Sequence, residues 1–254
     1  MSQTVLRALG IVDLVAESPR TLTEIGEAIG THKSTALRLL QTLESAGYVR
    51  QLPTGEYVAG LALVRLAESA LSTVDARSIA RPTLQALSAR LGHTVHFAQR
   101  VDDDIVYIDK IDGNGTVAMG SRVGSPAEKH TAGVAKAIIA FASAPERDRL
   151  IEAARFTAHT PNTIPDAAAF RREIAATRER GWAEDDGENE DYINCIAFPV
   201  RDATGQFAYA FSVTALKAVG PLPELRAIAP ELQEIADTLS AALGWSGSGA
   251  AEAG

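Results

Sequence analysis

Between Thr21 and Val58 the chain carries a punctuated helix–turn–helix–hairpin pattern that few folds accommodate. Thr21 and Glu24 stand at the spacing of a capping box, which predicts a short helix from Glu24 to Ile29 with Ile25, Ala28 and Ile29 on one face. Gly30 ends it. Thr31-His32-Lys33-Ser34 is then a tight connection, with Ser34 placed to cap a second helix running to about Ala46. Gly47 suits the left-handed closing position of that helix. Its inward face is expected to be Leu37, Leu40 and Leu43, flanked by Ala36 and Leu39. Two strands, 48–52 and 56–58, join through Pro53-Thr54-Gly55 as a small hairpin. An earlier helix covers Val5 to Val15 and stops before Ser18-Pro19. The whole reads as a winged helix-turn-helix.

Downstream, the texture changes. Leu63, Leu66, Ala70 and Val74 favour a connecting helix, and Pro82 marks a new one carrying Leu84, Leu87 and Leu91, closed by Gly92. Strands are predicted at 93–99, 105–111, 116–119, 193–200 and 206–214, with helices near 131–143, 146–154, 166–180 and 224–243. The fold class is therefore α+β: a winged helix-turn-helix over 1–58, a linker helix over 59–77, and an α/β domain over 78–245. The tail 246–254 is small and polar enough to be disordered.

Charge needs dividing before it is used. The 254 residues carry 24 basic and 32 acidic side chains, net −8, which by itself disfavours a nucleic-acid partner. Residues 1–60 hold five basic against six acidic groups, net −1, and within 30–60 the balance turns to +1 through Lys33, Arg38 and Arg50 against Glu44 and Glu56. Much of the acidity sits in one run, Glu184 to Asp191, with six carboxylates in eight residues. That run is expected to be a solvated, loop-ordering segment rather than a metal site. The lone Cys195 excludes an intramolecular disulfide and a cysteine-rich zinc site, and a reducing, cytoplasmic location is expected. No apolar run approaches the roughly 18 residues of a membrane span, and the N-terminus lacks a leader-like pattern.

Two helices and a hairpin place the second helix in the DNA major groove. His32, Lys33, Ser34, Thr35 and Arg38 are the exposed types early in that helix, and Arg50 can bring the wing to a phosphate. Arg38 can reach a guanine edge with two parallel hydrogen bonds. The alternative is a protein-interaction module joined to a small-molecule-binding or catalytic domain.

Thr23-Glu24-Ile25-Gly26-Glu27-Ala28-Ile29-Gly30, Ser34-Thr35-Ala36-Leu37-Arg38-Leu39-Leu40 and Leu43-Glu44-Ser45-Ala46-Gly47-Tyr48-Val49 resemble the DNA-binding domain of the isocitrate-lyase-regulator (IclR) family of bacterial transcription factors. Gly181-x3-Asp185-x2-Glu188-x6-Cys195-Ile196-Ala197, followed by Pro199-Val200, is similar to that family's effector-domain signature. His130-Thr131-Ala132-Gly133-Val134-Ala135-Lys136-Ala137 is a third match, with Ala135 where the family usually has glycine. The resemblance runs from about residue 3 to 244.

It implies a GAF-like effector domain binding a small organic or aromatic acid, with Met119, Gly133, Val134, Asp185, Cys195, Ser212 and Thr214 at effector-contacting positions. The residue chemistry agrees. Gly133 and Val134 open a predicted helix whose free N–H groups favour a carboxylate. Ser212 and Thr214 share one face of a strand, as do Ile193 and Cys195. Met119 and Cys195 can equally be core filler, Ser212 and Thr214 can bond backbone, and Asp185 can hold a loop by accepting N–H groups. Glu188 reads as structural. The resemblance also implies a homodimer or dimer of dimers on a palindromic operator. The apolar stripe of Leu61–Val74 is the candidate dimer surface.

Several motifs are set aside. Gly113-Asn114-Gly115-Thr116-Val117-Ala118 imitates a dinucleotide loop but links two predicted strands. His93 and His96, three apart on a strand, point to opposite faces and cannot chelate one metal. Cys195 with His130 is the one nucleophile–base pair available, and no neighbourhood supports an activated thiol. No enzymatic activity, cofactor or metal is expected.

Overall fold

The computed structural model describes residues 2–66, 75–114 and 120–247, and the chain divides into two compact units between Val74 and Asp75. In the first, α1 (Gln3–Glu17), α2 (Leu22–Ala28) and α3 (Lys33–Ser45) precede a two-stranded wing, β1 (Val49–Gln51) and β2 (Tyr57–Ala59). The capping box forms: the Thr21 side chain accepts from Glu24 N–H, and the Glu24 carboxylate accepts from Thr21 N–H at 2.7 Å. The wing pairs Val49 with Ala59 and Gln51 with Tyr57, around a turn in which Gly55 takes φ +90°. Arg20 extends it, exchanging two backbone hydrogen bonds with Tyr57, so the hairpin is tied to the start of α2. Beyond the wing the backbone crosses the end of α3. A Cβ at Gly60 would lie 2.1 Å from the Gly47 carbonyl oxygen, so only glycine permits that approach.

Ile11, Val15, Ile25, Leu40, Val49 and Tyr57 form the core of this unit. Two expectations are corrected here. Residue His32, not Ser34, occupies the cap of α3, and Ser34 is the helix's second residue. The buried face of α3 is Ala36 and Leu40 with Leu39 and Leu43 packed beside them, while Leu37 is only half-buried and outside the cluster. Starting the helix at Lys33 sets its rotation, because Ala36 is the small residue that lets α2 approach: a Cβ on Gly26 would meet the Ala36 Cβ at 3.8 Å. The expected helix over 61–74 is helical at 62–66, and 67–74 lie outside the described residues.

The second unit is built on a five-stranded antiparallel sheet. Its helix α4 (Ala76–Leu91) precedes β3 (Thr94–Val101) and β4 (Asp104–Ile111), followed by α5 (Gly133–Phe141), α6 (Ala144–Glu152) and α7 (Ala167–Arg180). Then come β5 (Ala183–Asp186), β6 (Ile193–Val200), β7 (Tyr209–Leu216), α8 (Leu222–Ala227) and α9 (Ala229–Ala242). The strand order is β4-β3-β7-β6-β5. Alternation along the strands separates two cores. Phe97, Ile196, Phe198, Phe211 and Val213 pack with α4, α8 and α9 on one face; Ala98, Cys195, Ala197 and Ala210 pack with α5, α6 and α7 on the other. A register shift at Phe97/Ala98 lets Tyr107 join the second core while Ile108 and Ile111 serve the first.

Three expectations change in this unit. Pro82 lies inside α4 rather than at its start, because Asp75 caps the helix by accepting from Arg77 N–H and bonding the Ser78 hydroxyl. The C-terminal helix breaks at Ile228, where Pro230 removes a helical N–H and crowds the carbonyl four residues back. The acidic run is not wholly solvated: its first residues form β5, an edge strand absent from the predicted set, with Glu184 and Asp185 buried. The predicted strand at 116–119 and the tail from 248 onward fall outside the described residues. No described helix is long and apolar enough to cross a membrane.

Candidate functional site

Burying Ala36 and Leu40 turns Ser34, Thr35 and Arg38 outward on the opposite side of α3, and His32 and Lys33 are exposed at its start. No side chain caps the helix, so the N–H groups of Lys33 and Ser34 at its start remain available to an anion. Arg50 is exposed on β1, whose neighbour Gln51 is anchored by its N–H to the Glu44 carboxylate at 3.1 Å. Ser34 and Arg38 stand one turn apart on one stripe, as side chains entering a groove must.

In the second unit, strand register assembles a cavity of about 240 Å³. Asp185, Cys195 and Thr214 lie directly opposite one another across β5, β6 and β7, and Ser212 lies opposite His96 of β3. All five line the cavity, together with Ile193 and the first residues of α5, Gly133 and Val134. Six of the seven sequence-derived positions therefore share one wall system; Met119 lies outside the described residues. Gly133 has a steric reason to be glycine, since a Cβ there would sit 2.8 Å from Cys195 Sγ and 3.3 Å from the Ala197 Cβ. That lets the uncapped N-terminus of α5 press against the sheet at the cavity's edge.

Electrostatics make the cavity less repulsive to an acid than its carboxylates suggest. Burial, and then Lys110, lower His96 to about 4, so it is a neutral imidazole. Its Nε2 lies 2.7 Å from the Ser121 hydroxyl, and its Nδ1 faces Thr214 and Ser212 at 3.3 and 3.4 Å. Burial, and then Asp185, push the Cys195 thiol up to about 12, which removes it as a nucleophile. His130 bonds the Thr157 carbonyl at 3.0 Å through Nε2. Burial also raises the Asp185 carboxyl above its ordinary range. Asp185 performs the loop-holding task as well, its Oδ1 accepting from Glu188 N–H at 2.7 Å.

Several lining residues have no sequence signal beyond their type: His96, Tyr107, Ser121, Glu128 and Glu190. The Thr131 hydroxyl oxygen and Glu190 Oε2 are buried without a partner, a state that costs roughly 1–3 kcal/mol each unless something fills the cavity. Behind the wall, fully buried Lys136 of α5 holds Glu188 through both carboxylate oxygens at 2.5 and 2.6 Å. This pair fastens the segment that carries Glu190.

Burial pulls the Glu188 carboxyl upward, and Lys136 opposes it with a hydrogen bond to each oxygen, which holds the two as an ammonium–carboxylate pair. Neutral His96 contributes stability that is lost as pH falls below 6.5 toward 4. The melting temperature is expected to fall by several degrees as pH is lowered from about 6.5 to 4.5, and His96→Gln should flatten part of that slope. A wild-type melting temperature constant over this window contradicts the protonation assigned here.

The family described as "Bacterial transcriptional regulator IclR C-terminal" matches residues 68–241, and the "IclR helix-turn-helix domain" matches residues 4–53. The chain is 35% identical over 246 residues to the HTH-type transcriptional regulator XynR of Escherichia coli K12, covering 96% of this chain and 98% of that protein. It is 31% identical over 233 residues to the regulator KdgR of the same organism, covering 91% and 86%. Among solved structures, an IclR transcriptional regulator from Silicibacter sp. TM1040 superposes with TM-score 0.79 at 25% identity, over 100% of this chain and 98% of that one. The Thermotoga maritima IclR structure gives TM-score 0.64 at 28% identity, over 95% and 99%.

Proposed function

Since the chain belongs to the IclR family of bacterial transcriptional regulators, we propose that it reads a palindromic operator through α3 and the wing, under control of a small organic acid in the cavity. The DNA reading rests on one observation: His32, Lys33, Ser34, Thr35 and Arg38 are all exposed at the uncapped N-terminal end of α3, and Arg50 is exposed on the wing. Phosphates are taken by Lys33, Arg50, the hydroxyls of Ser34 and Thr35 and the helix N–H groups, with His32 beside them; Arg38 addresses a base edge.

Cavity chemistry supports a small, hydroxyl-bearing carboxylate over an aromatic one. Among the described lining residues there is no lysine or arginine, so the N–H groups at the head of α5 are the natural carboxylate anchor. Thr131, Ser212 and Thr214 provide hydroxyls, and Glu190 Oε2 needs a donor that a ligand hydroxyl supplies. Asp185 is engaged with the loop, its Oδ1 accepting from Glu188 N–H. Control follows from linkage: the effector changes operator affinity only by as much as it prefers one domain arrangement to another.

A homodimer is supported by apolar surface in the first unit. Val5, Leu6 and Leu9 on α1 are exposed, as are Leu61, Val64 and Leu66. Two copies related by a twofold axis would read half-sites about 34–36 Å apart, or multiples of this.

The test is a mobility-shift series on upstream genomic fragments. Arg38→Ala is expected to weaken operator binding by about 1–3 kcal/mol and relax sequence preference, with no change in melting temperature. Normal, sequence-selective binding by that variant removes Arg38 from base reading. A thermal-shift panel of short hydroxy acids and aromatic acids tests the cavity, because a ligand at 100 times its Kd adds about 2.7 kcal/mol. A Ser212→Ala variant that retains full response argues against the pocket assignment.

A further inference from the structure

We propose that Glu128, His130 and His159 form a binding site for a divalent transition-metal ion of the zinc type at the margin of the cavity. One ligand atom from each lies within 4.8 Å of the others, and among the described residues this is the single His/Cys/Asp/Glu group so arranged. Glu128 Oε2 accepts a hydrogen bond from His159 Nε2 at 2.7 Å, which a bound ion would replace with loss of that ring proton, and lies 3.9 Å from His130 Nδ1. The sequence carries no signal for this group: the two histidines are separated by 28 residues and follow no metal-binding spacing. The fold brings them together.

The orientation of His130 carries the inference furthest. Its ring is 1% exposed, packed edge-on against Phe156 with centroids 5.4 Å apart. Nε2 meets the Thr157 carbonyl at 3.0 Å, and a carbonyl only accepts, so the hydrogen resides on Nε2. In the neutral ring Nδ1 then presents a lone pair toward a carboxylate oxygen, two acceptors with a place for a cation between them. A ring N–H given to a backbone carbonyl is the support that metal-bound histidines use to fix tautomer and direction. His159 is held too, its backbone N–H bonding the Thr163 hydroxyl at 3.0 Å.

Two imidazoles and one carboxylate suit zinc or its neighbours, whereas calcium and magnesium prefer oxygen ligands. Three protein ligands leave a fourth tetrahedral position open. Glu128 also lines the cavity, so a bound ion would draw one cavity carboxylate into coordination.

The probe is the ion itself, with neither DNA nor effector present. Full-length protein stripped with chelator is titrated with Co²⁺ under visible absorbance and with Zn²⁺ by calorimetry. One ion per chain is expected, with the ligand-field bands of a four-coordinate site and Mg²⁺ unable to compete. His159→Ala, chosen because that residue lies on an exposed loop, and Glu128→Gln should each weaken binding by at least about tenfold without lowering the metal-free melting temperature. No saturable site near one ion per chain, or unchanged affinity in both variants, overturns the proposal. Since operator and effector are absent from the measurement, its failure and the failure of the regulator reading are separately visible.

Discussion

A Lys136→Met variant is expected to unfold more easily by about 3–5 kcal/mol, measured as a lowered denaturant midpoint of the second unit. Lys136 is fully buried in α5 and donates to both oxygens of Glu188, whose side chain is only 12% exposed. Its charge also faces Asp185, the other buried carboxyl of this cluster. Removing the ammonium leaves buried Glu188 without its cation and takes a positive charge away from Asp185, which lines the cavity. Effector response should therefore decline with stability. Replacing both partners, Lys136→Met with Glu188→Leu, should recover much of the loss, because an apolar pair avoids the desolvation cost. A single variant within about 1 kcal/mol of wild type would mean that the pair is not the latch described here.

Operator affinity is expected to fall about 10³-fold between 50 and 200 mM salt. The counterion argument gives a log–log slope near −0.9 per neutralised phosphate. A dimer presenting Lys33, Arg38 and Arg50 twice brings about six cations to the backbone and groove, hence a slope near −5. The protein's overall charge of −8 does not oppose this, since residues 30–60 are locally positive and the Debye length near 0.1 M is only about 10 Å. A filter-binding or anisotropy titration over this range checks the slope. A slope shallower than about −2 would exclude a dimer engaging DNA through these side chains.

Legibility differed by how local each signal was. Thr21 and Glu24 announced the start of α2 because a capping box is completed within four residues. Gly92 likewise ends α4 in the left-handed conformation that its position after the apolar stripe suggested. Period-two alternation was enough to put Ser212 with Thr214, and Ile193 with Cys195, on the cavity face. Ser34 misled because a hydroxyl before a helix reads as its cap, yet α3 begins one residue earlier with His32 in that role. Pro82 misled similarly: a proline favours a helix start, but Asp75 had already nucleated the helix upstream.

The acidic run shows the limit most clearly. Six carboxylates in eight residues suggest water, and Asp186 and Asp191 are indeed exposed. Glu184 is instead buried against Arg226, which approaches both its oxygens at 2.8 and 2.7 Å, and Glu188 against Lys136. Those partners are 42 and 52 residues away. Burying a charge requires a partner, and a partner that distant is invisible to periodicity or capping.

From the amino-acid order alone came most of the elements, the shared faces of the strands and the exposed polar stripe of α3, since these depend on hydrogen bonds and side-chain alternation within a few residues. Tertiary structure alone decided which polar groups lose water: neutral His96, the Lys136–Glu188 latch, and Glu128 beside His130 and His159. Desolvation is a property of everything packed around a group, and for these residues that surrounding is assembled from segments far apart in the chain.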